Sequence, residues 1–373
     1  MRRQIFVLST LVSMCAGGTQ LAVAQSAQPP TFSADLTPAA VRRVMTAAAD
    51  WQLTHPSEHA PYDWTVAAFY TGVMAFSKLS DSPKYYDAMK VMGERNQWRP
   101  GLRPGLADDY AVIATYAKIF QHEKDKKILA PALALFDYLV TLPYNEPLTW
   151  GNGIEMREWA WCDALFMAPP ALAAVTTATG DRKYLDLANR LWWKTTDYLY
   201  DKSEHLYFRD SRFFDQREPN GRKIFWSRGN GWVLAGIARM LEEMPADYPD
   251  RARYVALFRE MAEKIAAVQG ADGYWRSSLL DRGSRPNPET SGTGFFVYGL
   301  AWGINHGLLD RARYEPVITR GWSAMVKSVH PDGMLGWVQR IGDQPGATTA
   351  ETTEVYGVGA LLLAGSEIFT LAK

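Results

Sequence analysis

The chain has 373 residues, with 40 Lys and Arg balanced by 40 Asp and Glu and a formal net charge of zero. With no excess of either sign, nothing marks a surface for nucleic acid or for an anionic membrane. The length exceeds that of a usual domain, yet no Gly/Ser/Pro linker or shift in composition divides it.

The first predicted element is an export signal. Arg2 and Arg3 precede an apolar run from Ile5 to Cys15, and Ala22-Val23-Ala24 ahead of Gln25 is a small-residue cleavage pattern. Residues 1–24 therefore read as a secretory signal peptide, which places the mature protein in the periplasm or outside the cell. The run is too short to span a bilayer, so no membrane insertion is expected. Met14 stands where a small residue would be wanted before a lipidated Cys15, which argues against a lipid anchor. Residues 25–34 read as a flexible leader and 35–373 as a single domain. Of the two cysteines only Cys162 then remains, so stability has to come from packing and not from a disulfide.

Ala39 to Ala49 reads as a helix, and after it one unit recurs six times. A polar or charged residue opens an apolar helix rich in small residues, a turn follows, and a second helix starts near a Tyr or another apolar anchor. The openings lie at Asp63-Trp64, Asp108-Asp109, Asp163, Arg228-Gly229-Asn230, Ser291-Gly292-Thr293 and Thr353-Glu354. Tyr85, Tyr184, Tyr254 and Tyr314 mark four of the second helices. The second unit carries Ile128 instead, and the sixth lacks a second helix. Val112, Thr115, Tyr116, Ile119 and Phe120 keep helical spacing, as do Val233, Ile237, Met240 and Leu241. Pro169-Pro170 would disrupt a helix interior, so the helix after Asp163 either begins near Ala168 or bends there. A single hairpin of this kind cannot bury its apolar face alone. The expected fold is all-α: a closed ring of six inner helices inside an outer ring, with Ala39 to Ala49 supplying the twelfth helix. All the polar openings then share one end, where the chemistry is expected.

The composition includes 14 Trp and 18 Tyr, and Trp64, Trp150, Trp159, Trp161, Trp226, Trp232, Trp275 and Trp337 flank the openings. Sugar rings present C–H faces that stack on indole, whereas a large helical protein also uses Trp as core filler. Bunching beside charged residues favours a carbohydrate cleft. In Trp226-Ser227-Arg228-Gly229-Asn230-Gly231-Trp232, glycines allow close backbone approach to a ligand, Arg228 offers a planar fork for a carboxylate and the indoles can frame a ring. The plainer alternative is a Gly-rich turn before a helix. Asp163, set among Trp159, Trp161 and Phe166, is the best proton donor, because desolvation raises a carboxyl pKa and Asp108 or Asp109 would raise it further. The alternative for Asp163 is a helix N-cap. The six His are scattered, and His55 and His59 are separated by Pro56. With no Walker loop, GxGxxG turn or zinc-type Cys pattern either, neither a metal nor a cofactor is expected.

From about Tyr62 to Leu371 the chain resembles the unsaturated rhamnogalacturonyl hydrolases of glycoside hydrolase family 105, related to the unsaturated glucuronyl hydrolases of family 88. The resemblance rests on Ala107-Asp108-Asp109-Tyr110, Trp161-Cys162-Asp163-Ala164-Leu165-Phe166-Met167, the Trp226–Trp232 segment and Glu289-Thr290-Ser291-Gly292-Thr293. It implies an (α/α)6 barrel with Asp163 as acid/base, assisted by Asp108 or Asp109. It also implies that Trp159, Trp161, Trp226, Arg228, Asn230, Trp232, Ser291 and Thr293 bind an unsaturated oligosaccharide, with rhamnogalacturonan fragments of pectin as the family default. Where relatives often carry a His after a Leu-Tyr pair, this chain reads Leu206-Tyr207-Phe208-Arg209-Asp210, so that role is unfilled or passes to Arg209. Two other readings compete: an inverting glycosidase using Asp109 and Asp163 on saturated sugars, and a non-enzymatic sugar-binding protein. Monomer and homodimer are equally compatible with the neutral charge.

Overall fold

The computed structural model describes residues 32–373, so the expected signal peptide and residues 25–31 of the leader lie outside the described residues. Phe32 and Ala34 already pack against the core, so packing begins ahead of the leader boundary expected at residue 34.

Among the described residues the chain forms thirteen α-helices that alternate between two layers. In chain order they are α1 (Pro38–Thr54), α2 (Trp64–Ser77), α3 (Lys84–Arg95), α4 (Ala111–Glu123), α5 (Ala130–Leu139), the single-turn α6 (Ala164–Met167) and α7 (Pro169–Thr179). There follow α8 (Lys183–Leu199), α9 (Ser227–Glu243), α10 (Arg251–Ala267), α11 (Thr290–Asn305), α12 (Arg311–Lys327) and α13 (Val355–Leu371). α2 packs on α4, α4 on α7, α7 on α9, α9 on α11, α11 on α13, and α13 returns to α2, closing the inner ring. Outside it α1 packs on α13, α3 on α2, α8 on α7, α10 on α9 and α12 on α11. This is the (α/α)6 barrel expected, with the helix containing Ala39 to Ala49 in the twelfth place.

The two layers differ because their sequences do. α13 is buried along almost its whole length, which a helix apolar on every side requires. Close crossings in this ring depend on absent side chains: a Cβ at Gly72 of α2 would lie 2.5 Å from the Gly359 carbonyl oxygen of α13. The outer helices are one-sided, and they share a clamp that repeats with the hairpins. Near the start of an outer helix a basic residue precedes the marker Tyr and reaches an acid on the preceding outer helix. Lys84 pairs with Asp50 at 2.7 Å, Lys183 with Asp137 at 2.9 Å, Arg253 with Asp197 at 2.9 Å and Arg313 with Glu263 at 2.7 Å. Tyr85 and Tyr184 donate to the same Asp50 and Asp137, each at 2.8 Å. Such exposed pairs each add little to stability, and they fix the spacing of neighbouring hairpins more than their energy.

The proline pair resolves into a break. α6 ends at Met167, Ala168 separates the two helices, and Pro169 and Pro170 occupy the first positions of α7, where their missing N–H groups cost nothing. Between α8 and α9 a short antiparallel ribbon pairs β1 (Tyr200–Asp201) with β2 (Leu206–Tyr207), placing Tyr200 opposite Tyr207. The ribbon delivers the chain to Arg209 at the rim of the barrel.

Candidate active site

A cavity of about 320 Å³ opens where the helix openings converge. Trp64 is the first residue of α2, Asp108 lies in the turn that leads into α4, and Trp161 and Asp163 immediately precede α6. Met167, Arg209 and the loop residues Ile341, Gly342 and Asp343 complete the wall. The shared end of the barrel is thus where acids and indoles meet.

Asp163 makes no side-chain cap to its helix, which removes the alternative of a simple N-cap. Asp63 and Glu289 do cap α2 and α11. Its Oδ2 accepts from the buried Cys162 thiol at 3.4 Å and lies 3.7 Å from Arg209 Nε. Burial raises the Asp163 carboxyl above the ordinary carboxylate range, against the pull of Arg209 and Arg228. Burial and then repulsion from Asp163 push Asp108 up to about 7. Both carboxyls are thus raised, Asp163 by burial and Asp108 by burial and its neighbour's charge.

Asp109 is not part of that pair. It is buried, receives the Arg103 guanidinium at 2.6 Å and the Arg103 backbone N–H at 2.6 Å, and faces the loop at Gly101. Of the two adjacent acids, Asp108 turns to the cavity and Asp109 anchors the loop behind it. A glycosidase pairing Asp109 with Asp163 therefore lacks its geometry.

Arg209 occupies the place after Leu206-Tyr207. Its Nη1 donates to Asp210 at 2.7 Å, its guanidinium stacks 4.5 Å from the Trp150 ring, and its buried Nε has no hydrogen-bond partner. Asp210 is fully buried and also accepts from Arg212 Nε at 2.9 Å and Nη2 at 2.8 Å, while Arg212 reaches Asp343 at 2.8 Å.

The side chains of the Trp226–Trp232 segment are engaged within the protein. Arg228 is fully buried and spends its fork on the loop: Nη1 donates to the Gln339 carbonyl at 2.7 Å and Nη2 to the Arg340 carbonyl at 3.1 Å. It also lies between Trp226, 4.3 Å away, and Tyr356, 4.8 Å away. Trp226 Nε1 donates to Gln339 Oε1 at 3.0 Å. Asn230 is buried and holds both backbone groups of Tyr207, accepting its N–H at 2.8 Å and donating to its carbonyl at 3.0 Å. Trp232 is buried against Phe166 and Phe295, one layer behind Trp64. The glycines serve helix packing: a Cβ at Gly229 would sit 3.1 Å from Cys162 Sγ, and one at Gly231 3.1 Å from the Phe295 Cβ. Ser291 and Thr293 bond to the side chain and carbonyl of Glu289, each at 2.6 Å, and Glu289 also receives the Gln339 N–H at 3.2 Å. Trp159 is core, with its carbonyl taken by Thr195. These seven expected binders shape the cavity from behind; Trp161 and Arg209 face it directly.

The glycosyl hydrolase family 88 model matches residues 38–372. An unsaturated 3S-rhamnoglycuronyl hydrolase from Formosa agariphila is 41% identical over 88% of this chain and 90% of its own length. A second protein of that name, from an Alteromonas species, is 37% identical over 89% and 86%. The solved structure of a family 88 glycosyl hydrolase from Bacteroides vulgatus superposes with a TM-score of 0.80 at 28% identity, over 90% of this chain and 99% of that one. The chain belongs to glycosyl hydrolase family 88. It is accordingly a glycoside hydrolase, as the motifs around Asp108 and Asp163 imply.

In this family 88 chain the sequence marked Trp64 only as one of the indoles flanking the openings, and did not single out Met167 or residues 341–343 as binders. Trp64 had a signal, since an indole directly after the N-cap Asp63 must project at the opening end. The loop had none of its own, because Ile341 and Gly342 are placed by Arg228 and Glu289 from far away in sequence. Among the described residues no group of three or more His, Cys, Asp or Glu is arranged to hold a metal, and no helix is long and apolar enough to cross a membrane.

Proposed function

We propose that the protein removes the terminal 4,5-unsaturated uronic acid from oligosaccharides left by polysaccharide lyases, with Asp163 as acid and then base. The names of its two close relatives favour an unsaturated rhamnoglycuronyl substrate over the galacturonyl-rhamnose expected from pectin. In such a sugar the C4–C5 double bond is conjugated with the carboxylate and also forms an enol ether with the ring oxygen. Asp163 gives its proton to C4, the alkene electron pair forms the new C–H bond, and the ring oxygen stabilises the positive charge at C5. The Asp163 carboxylate then takes a proton from water as the water oxygen bonds to C5. The resulting hemiketal opens and expels the neighbouring sugar as an alcohol. Each step leaves Asp163 in the protonation state the next requires.

The observation that carries this reading is the pairing of two cavity-facing carboxyls, Asp108 and Asp163, both held above the ordinary carboxylate range. Asp108 lies beside Asp163 as a second raised carboxyl, pushed up by burial and then by repulsion from that neighbour. Trp64 and Trp161 supply flat apolar faces for the ring, and such orientation contributes as much as the proton itself. The N-terminal pattern of Arg2, Arg3 and Ala22-Val23-Ala24 supports an exported enzyme.

The test is a matched pair of disaccharides, one unsaturated and one saturated at the terminal uronic acid. The expected outcome is loss of the ultraviolet absorbance of the double bond in step with release of the second sugar, and no cleavage of the saturated compound. Cleavage of both at similar rates would point to the inverting glycosidase, and binding without turnover to the sugar-binding protein.

A further inference from the structure

At the wall of the cavity one buried donor is unused. Arg209 Nε is shielded from solvent, has no hydrogen-bond partner, and lies 3.7 Å from Asp163 Oδ2, too far for a bond. The same guanidinium reaches Asp210 at 2.7 Å and lies on Trp150. A buried cation beside two acids should close on both unless something fixes it. Here Asp210 is the fixed point, because its carboxylate is fully buried and tied by three hydrogen bonds from Arg212, including the Arg212 backbone N–H at 3.0 Å. Upstream, the backbone of the same segment is anchored by Asn230 on Tyr207 and by the Cys162 N–H on the Arg209 carbonyl at 2.9 Å.

We propose that Asp210 is a positioning residue that holds the Arg209 guanidinium back from Asp163, keeping its Nε–H in reserve for the charge Asp163 carries once it has given up its proton. This rests on the assignment of Asp163 as proton donor. A full ion pair in the resting enzyme would make Asp163 a carboxylate and useless as an acid. No cation at all would leave the carboxylate formed in the transition state unsupported. A donor a fraction of an ångström out of reach favours the second state over the first, which is differential stabilisation of the kind that lowers a barrier. The remaining charged and titratable groups facing Asp163 are Asp108 from the turn before α4, Arg228 from α9, the adjacent Cys162 thiol and, across the cavity, Asp343. Those facing Asp210 are Arg209 and Arg212.

The sign of each change follows. In Asp210→Asn the guanidinium is released towards Asp163 and a neighbouring negative charge disappears, so the proton is lost at lower pH. In Arg209→Gln the cation is gone and Asp210 stays, so the proton is kept to higher pH. The experiment is the pH dependence of kcat/KM on an unsaturated disaccharide for the parent enzyme and both variants. The expected result is opposite displacement of the alkaline limb, downward in Asp210→Asn and upward in Arg209→Gln, by about one pH unit each. A general loss of packing would lower both rates without moving the limbs apart. If Asp210→Asn does not fold, Asp210→Ser takes its place in the same comparison, with the same downward displacement expected. An alkaline limb present in the parent and unmoved in the folded variants overturns this inference alone. A parent with no alkaline limb removes the proton donor, and this inference with it.

Discussion

Arg228 shows how a residue type suited to a ligand can be spent on the protein itself. Its guanidinium bonds to the carbonyls of residues 339 and 340 just before the three loop residues of the cavity wall. Arg228→Met should leave those buried acceptors unsatisfied and cost about 2–4 kcal/mol, measured as a lower urea midpoint. Because the loop would lose its support, KM should rise more than kcat falls. A fall in kcat with unchanged KM and unchanged stability would place Arg228 at the reacting atoms instead. Asp109 makes the same point from the acid side: Asp109→Asn should weaken the Arg103 loop and lower stability, while retaining far more turnover than Asp108→Asn, checked by melting and rate on the same samples. The sequence made Asp108, Asp163, Trp161 and Arg209 legible as candidates because acids and indoles at helix openings have few structural uses, and all four line the cavity. It could not separate Asp108 from Asp109, since consecutive residues in a tight turn point in different directions and only the partner Arg103 decides which turns inward. Nor could it show that Arg228 and Asn230 bond to backbone groups of residues 339 and 340 and of Tyr207, or that Ser291 and Thr293 close on Glu289.

Among the elements, the repeated hairpin was legible from its periodicity, its opening residues and the Tyr that marks four of the outer helices. The inner helices were legible as well, although their apolar residues run all the way round. What periodicity cannot reveal is how close two of them come. Gly72 and Gly359 are in backbone contact between α2 and α13, at the seam where the last inner helix meets the first. Gly72→Ala should force these helices apart and destabilise the fold by about 1–3 kcal/mol. An alanine at Gly180, which ends α7 at φ 80° with open space around its missing Cβ, should cost less and act through backbone strain alone. Comparing the two urea midpoints checks whether ring closure or turn geometry carries the larger share. The break at Ala168 was legible only as a choice between a start and a bend. The chain takes the start, since α6 ends at Met167 and α7 begins at Pro169.

For the molecule as a whole, one end of the barrel has a cavity where burial raises two carboxyls above the ordinary carboxylate range, and that has a thermodynamic consequence. Asp108 is raised to about 7 in the folded protein, above its value in the unfolded chain. Its contribution to stability is therefore fully present below the ordinary carboxylate range and is lost as pH rises through about 7. The melting temperature should fall between pH 5 and pH 8, and Asp108→Asn should flatten that dependence while reducing turnover. An unchanged slope in the variant would contradict the placement of this acid. The central claim concerns Asp163, and single-turnover loss of the double-bond absorbance in Asp163→Asn, with substrate affinity measured on the same protein, tests it most directly. The account predicts a fall in rate of at least about a thousandfold with binding retained. A rate within tenfold of the parent would contradict it.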